Sequence, residues 1–102
     1  MSTLHTVNKS PFGDSAFNSC LAHCKPGDAV LLIEDGVYGA VAGSAVAANV
    51  EARAGDVSFY VLDGDTKARG LAAGKLIQQV KPVGYDGFVD LVAEHDRTQS
   101  WL

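Results

Sequence analysis

The sequence predicts a small three-layer α/β fold, flavodoxin-like or Rossmann-like, built on a mostly parallel sheet. Ala29–Ile33 is an unbroken apolar run bounded by Pro26-Gly27-Asp28 and Glu34-Asp35-Gly36. A run that short between turn residues reads as a strand buried on both faces, because a helix of five residues cannot bury itself. Val57–Leu62, VSFYVL, has the β-branched and aromatic content that suits a pleated, buried surface. The segments around these two runs carry helical spacing. Strands that alternate with helices imply a parallel sheet with right-handed crossovers.

Taken in order, Thr3–Val7 is a strand candidate with Leu4 and Thr6 on one face and His5 and Val7 on the other. Pro11 breaks it, having no amide to donate. Asp14 or Ser15 can cap a helix to about Cys24, since either side chain accepts from an orphan first-turn amide. Phe17, Cys20, Leu21 and Cys24 then fall at i, i+3, i+4 and i+7, a single apolar stripe. Ala29–Ile33 follows as the central strand. Val37–Val41 predicts one helical turn, and a better helix runs from Ser44 to about Arg53, ended by Gly55-Asp56. After Val57–Leu62 comes Asp63-Gly64-Asp65, read as a turn, then a short helical piece over Thr66–Leu71. Gln79–Val83 is a weaker strand that Pro82 relegates to an edge. Tyr85-Asp86-Gly87 reads as a turn before a helix over Phe88–His95, with Phe88, Leu91 and Val92 inward. Arg97–Leu102 reads as a polar tail whose Trp101 would pack on a neighbouring chain.

The chain has 102 residues, 47% of them hydrophobic, which suits one globular domain over 1–102 and excludes a disordered chain. A core this small leaves sheet edges for a partner to cover. The formal net charge of −4 and the lack of a basic run argue against direct binding to nucleic acid. No apolar stretch reaches membrane-span length and the amino terminus lacks a secretion signal, so no membrane partner and a cytoplasmic location are expected. Two cysteines, Cys20 and Cys24, are too few for a disulfide framework and fit a reducing compartment.

The carboxyl end of a central parallel strand is where ligands collect in open α/β sheets, which points first to Glu34-Asp35-Gly36. No convincing constellation stands there. Asp35, Asp63 and Asp86 could act together only if they met in space, and acid followed by glycine is ordinary turn chemistry. No phosphate-binding glycine loop appears, so no nucleotide cofactor is expected. His5 in a first strand reads as a satisfied core histidine ahead of a general base. Cysteine is commonly buried, and both thiols lie on the apolar stripe. Cys20 is nonetheless the candidate nucleophile, with His23 within helical reach to favour its thiolate. Cys20, His23 and Cys24 offer three metal ligands with no second cluster to complete a tetrahedral site, so no metal is expected. The C-x-x-x-C spacing differs from the thioredoxin motif, and a bridge across one helical turn fits disulfide geometry poorly.

The order of LHTVNKSPF, Cys20 in the first helix, GDAVLLIEDGVYGA, YVLDGDTKARGL, the YDGFVDLV helix and the closing SWL resembles the DsrH/TusB family over nearly the whole chain. Cys20 and the TVNKSPF opening place it nearer the DsrH side. The resemblance implies a single DsrH-like domain of the DsrE/DsrF/DsrH-like fold. It further implies a subunit of a DsrEFH-type heterohexamer, with DsrE-like and DsrF-like partners. Such an assembly passes protein-bound persulfide from a TusA-like or rhodanese-like donor to a DsrC-like acceptor in oxidative sulfur metabolism. The principal sulfur-carrying cysteine would lie on the DsrE-like chain. Cys20 would be a secondary persulfide carrier, Cys24 has no counterpart in the pattern, and no cofactor is implied. The alternative is a TusB-like subunit of the relay for tRNA 2-thiouridine synthesis.

Overall fold

A computed structural model describes residues 2–102. Five strands, β1 (Thr3–Val7), β2 (Ala29–Leu32), β3 (Ser58–Leu62), β4 (Val80–Val83) and β5 (Arg97–Trp101), form one sheet in the order β4-β3-β2-β1-β5. Every pairing is parallel. β2 occupies the centre, as its two-faced apolar run requires, and the proline-bearing β4 lies at an edge, where Pro82 leaves no inner ladder bond unmade.

The sheet separates two apolar layers. On one face, Val7, Val30, Leu32, Phe59 and Val61 meet α1 (Ala16–His23), a 3-10 segment (Glu34–Ala40) and α2 (Ala47–Arg53) through Phe17, Cys20, Leu21, Val37, Ala40 and Val50. On the other face, Leu4, Ala29 and Leu31 meet Leu91, with Phe88 packed alongside. The alternation expected along β1 is therefore present. Phe17 and Phe59 are among the largest fully buried side chains, and burial of such a group contributes about 1.5–3 kcal/mol.

Asp14 caps α1 locally: its Oδ1 accepts the Ala16 amide at 2.8 Å, whereas Ser15 makes no side-chain cap bond. At the other end, Arg53 of α2 donates from Nη1 to the Leu21 carbonyl at 2.6 Å and from Nη2 to the Cys24 carbonyl at 2.8 Å. One guanidinium thus bonds two carbonyls at the end of α1 and ties the helices together.

Several expectations are corrected. Residues 97–101 are a parallel edge strand against β1, with Thr3 opposite Arg97 and Val7 opposite Trp101. An edge strand facing solvent carries polar residues, so its sequence imitates a tail. Asp63-Gly64-Asp65 opens α3 (Asp63–Ala68), and the fourth helix, α4 (Tyr85–Glu94), absorbs the Tyr85-Asp86-Gly87 turn. All three acids, Asp63, Asp65 and Asp86, lie in a first turn, where the helix dipole favours them. The helix expected from Ser44 begins at Ala47. Val92 is 43% exposed rather than inward; only Leu91 of α4 is fully buried.

Candidate functional site

The polar centre of the molecule lies near the amino end of β2. Asp28, read from sequence as a turn residue, is 4% exposed at the entry to β2. Its Oδ1 accepts the Thr3 amide at 3.0 Å, and its Oδ2 accepts the Lys25 amide at 3.1 Å and His5 Nε2–H at 2.9 Å. His5 is itself buried in the middle of β1. Its other nitrogen, Nδ1, accepts the Trp101 indole N–H at 3.0 Å. An indole N–H only donates, so Nδ1 carries no proton. That fixes the neutral Nε2–H tautomer and makes His5–Asp28 a hydrogen bond to a carboxylate. The chain Asp28–His5–Trp101 links the β2 entry, β1 and β5.

Burial alone would raise the Asp28 carboxyl, but the His5 bond and the Lys25 and Thr3 amides outweigh it and hold the carboxyl below its ordinary value of 3.8. A carboxyl lowered on folding stabilises the native state above its unfolded value. That contribution is lost as pH falls below about 3.8 through the folded value. Acid titration of the unfolding free energy should therefore show a fall below that pH. Asp28→Asn should flatten the fall while lowering stability at neutral pH; an unchanged acid profile would contradict the assignment.

Cys20 and Cys24 are both buried free thiols on the inner face of α1 and at its end. Cys20 has no exposed surface. Its S–H serves as donor to Cys24, and with burial and the nearby Cys24 and Asp28 charges this pushes the Cys20 thiol far up. Cys24 moves the other way: the bond from Cys20 lowers it, burial and Asp28 oppose, and Arg53 adds to the lowering. Of the two sulfurs, Cys24 is the one the surroundings favour as thiolate. The ligand atoms of His5, Cys20 and Cys24 lie within 4.8 Å of one another.

His23 does not join the thiols. It is exposed, bonds Nδ1 to the Ser19 carbonyl at 2.8 Å, and rests on Trp101 with ring centroids 5.2 Å apart. His5 takes the place expected of it. Trp101 contacts His5 and His23 within its own chain. Removing the indole bond while keeping an aromatic ring, as in Trp101→Phe, should cost about 1 kcal/mol or more in urea unfolding. A loss near zero would mean the bond contributes nothing.

A cleft of about 600 Å³ opens beside this network, lined by His5, His23, Lys25, Asp28, Arg97 and Trp101 among others. The carboxyl end of β2, where ligands were first expected, is instead a structural junction. Arg69 pairs with Asp35 at 3.0 Å, and the Glu34 amide donates to Asp65 Oδ2 at 2.7 Å. Asp63 and Asp86 are not among the partners of Asp35. On α4, Tyr85, Val89 and Val92 form an exposed apolar face, with Tyr85 73% exposed. No helix among the described residues is long and apolar enough to cross a membrane.

The fold and the full-length order of elements are shared with known proteins. A family profile described as "DsrH like protein" matches residues 9–98. The chain belongs to the DsrH-like family. Protein TusB of Pectobacterium parmentieri is 36% identical over 98 residues, covering 96% of this chain and 99% of the relative. Protein TusB of Shigella flexneri is 34% identical over the same shares. Among solved structures, the ychN protein of Escherichia coli superposes with a TM-score of 0.80 at 18% identity, over 98% of this chain and 99% of its own. MTH1491 of Methanobacterium thermoautotrophicum gives 0.81 at 16% identity, over 97% of each chain. At those identities the structural likeness establishes the DsrH-like fold.

Proposed function

We propose that this DsrH-like chain is a cytoplasmic, non-principal subunit of a sulfur relay, holding related subunits together while another chain carries the persulfide. Complete burial of Cys20 is the observation that carries this division of labour. A persulfide carrier needs a thiolate that an incoming sulfur donor can reach, and in the closed chain Cys20 offers neither the access nor the ionisation. Cys20 would act as a secondary carrier only after α1 opens. The exposed apolar face of α4 supports an assembly role, since soluble chains seldom leave such residues contiguous and uncovered.

Within that reading, Cys20 and the TVNKSPF opening favour a DsrEFH-type heterohexamer with DsrE-like and DsrF-like chains, fed by a TusA-like or rhodanese-like donor and delivering to a DsrC-like acceptor. The TusB names of relatives at 34–36% identity support the second branch, a relay toward tRNA 2-thiouridine. Reconstitution with each acceptor class separates the branches. Transfer to a DsrC-like protein alone supports the first, and transfer to a TusE-like protein alone supports the second.

The assembly role has its own test. Val89→Glu places a charge on the exposed face of α4, 55% exposed at that position, and should leave the fold within about 0.5 kcal/mol of the parent. It should release the chain from its co-expressed partners on size-exclusion chromatography. A variant that stays folded and still elutes in the complex would remove α4 from the interface.

A further inference from the structure

The geometry points to a soft-metal site that the sequence pattern hides: His5 Nδ1, Cys20 Sγ and Cys24 Sγ form a buried three-ligand set for a zinc-like d¹⁰ cation. These groups come from β1 and from both ends of one helical turn, and a ring nitrogen of His5 and the two sulfurs already lie within 4.8 Å of one another. A tetrahedral ion bonded at about 2.3 Å to sulfur and 2.0–2.1 Å to nitrogen separates its ligand atoms by about 3.4–3.8 Å. A pair at the 4.8 Å limit has to close by about 1 Å. The donor types, two thiols and one imidazole, are those that zinc and related soft ions select over magnesium or calcium.

The surroundings supply the outer shell. Asp28 holds His5 Nε2–H at 2.9 Å, which leaves Nδ1 as the ligating nitrogen, in the carboxylate–histidine–metal arrangement common to such sites. Nδ1 is occupied here by the Trp101 indole N–H, a neutral hydrogen bond that a metal would displace. Trp101 and His5 both line the open cleft, which gives the ion an entry path. Ligation would release the two thiol protons to solvent and leave the sulfurs as thiolates neutralised by the cation. The fourth position, on the cleft side, would hold water or a small thiol.

The test uses the reduced, chelator-treated full chain titrated with Co²⁺ as a spectroscopic probe and with Zn²⁺ in competition. One Co²⁺ per chain should bind with a thiolate-to-cobalt charge-transfer band, and Zn²⁺ should displace it while changing Trp101 emission. Cys20→Ser and Cys24→Ser should each weaken binding by about 100-fold or more, beyond the 10–100-fold typical of outer-shell losses. Trp101→Phe, which removes the competing donor and leaves all three ligands, should tighten binding about threefold to tenfold. Circular dichroism of each variant confirms folding before titration. Absence of the charge-transfer band, affinity indifferent to the folded cysteine variants, or unchanged or weaker binding in Trp101→Phe would overturn the proposal.

Discussion

Asp28→Ala should cost about 3–5 kcal/mol of unfolding free energy. The substitution strands the Thr3 and Lys25 amides and His5 Nε2–H, all directed at one buried carboxylate. An unpaired buried donor costs about 1–3 kcal/mol, and the Thr3 amide can recover little from water because Thr3 is itself buried. Domains of this size have only about 5–15 kcal/mol in hand, so the variant should be partly unfolded at 37 °C. Urea unfolding followed by far-ultraviolet circular dichroism checks this. A loss under 1 kcal/mol would mean that Asp28 does not organise the β1–β2 entry.

Gly36→Ala should be the other severe lesion, at about 3 kcal/mol, the upper end for overpacking a closed interior. A β-carbon at Gly36 would collide with the Val7 backbone carbonyl oxygen. That oxygen also accepts the Ile33 amide at 3.0 Å, so it cannot retreat without breaking the turn that ends β2. Gly64 and Gly74 have nothing near the same position. Gly64→Ala and Gly74→Ala are thus matched controls expected to be near neutral or slightly stabilising. Equal losses at all three positions would refute the packing argument.

Much of the fold was legible because burial imposes periodicity. The central place of β2 follows from Ala29–Ile33 being apolar on both faces, and the edge position of β4 follows from Pro82. β5 was illegible for the converse reason: four of its five residues are exposed, so no apolar alternation marks it. Only pairing with β1, more than ninety residues earlier in sequence, makes it a strand. The helix boundaries at Asp63 and Tyr85 were misread because acid–glycine turn chemistry and helix-start chemistry use the same residues.

The site was half legible. Cys20 and Cys24 declare themselves by residue type, and His5 was expected as a satisfied core histidine, which hydrogen bonds at both ring nitrogens make it. Asp28 was missed because Pro26-Gly27-Asp28 accounts for itself as a turn. An acid immediately before a two-faced apolar strand was the available signal, since its side chain must enter the interior with the strand. His23 was preferred to His5 on helical spacing. Spacing reports neighbours within one element and is blind to a partner delivered by the adjacent strand.

The division of labour within the relay is tested most directly by intact-mass spectrometry of the reconstituted complex after loading from a persulfide donor. The DsrE-like chain should gain the mass of one sulfur atom while this chain gains none. Cys20→Ser should leave transfer to the acceptor within about twofold, whereas omitting the chain should abolish the complex. A sulfur adduct on this chain, lost in Cys20→Ser together with transfer, would contradict that division.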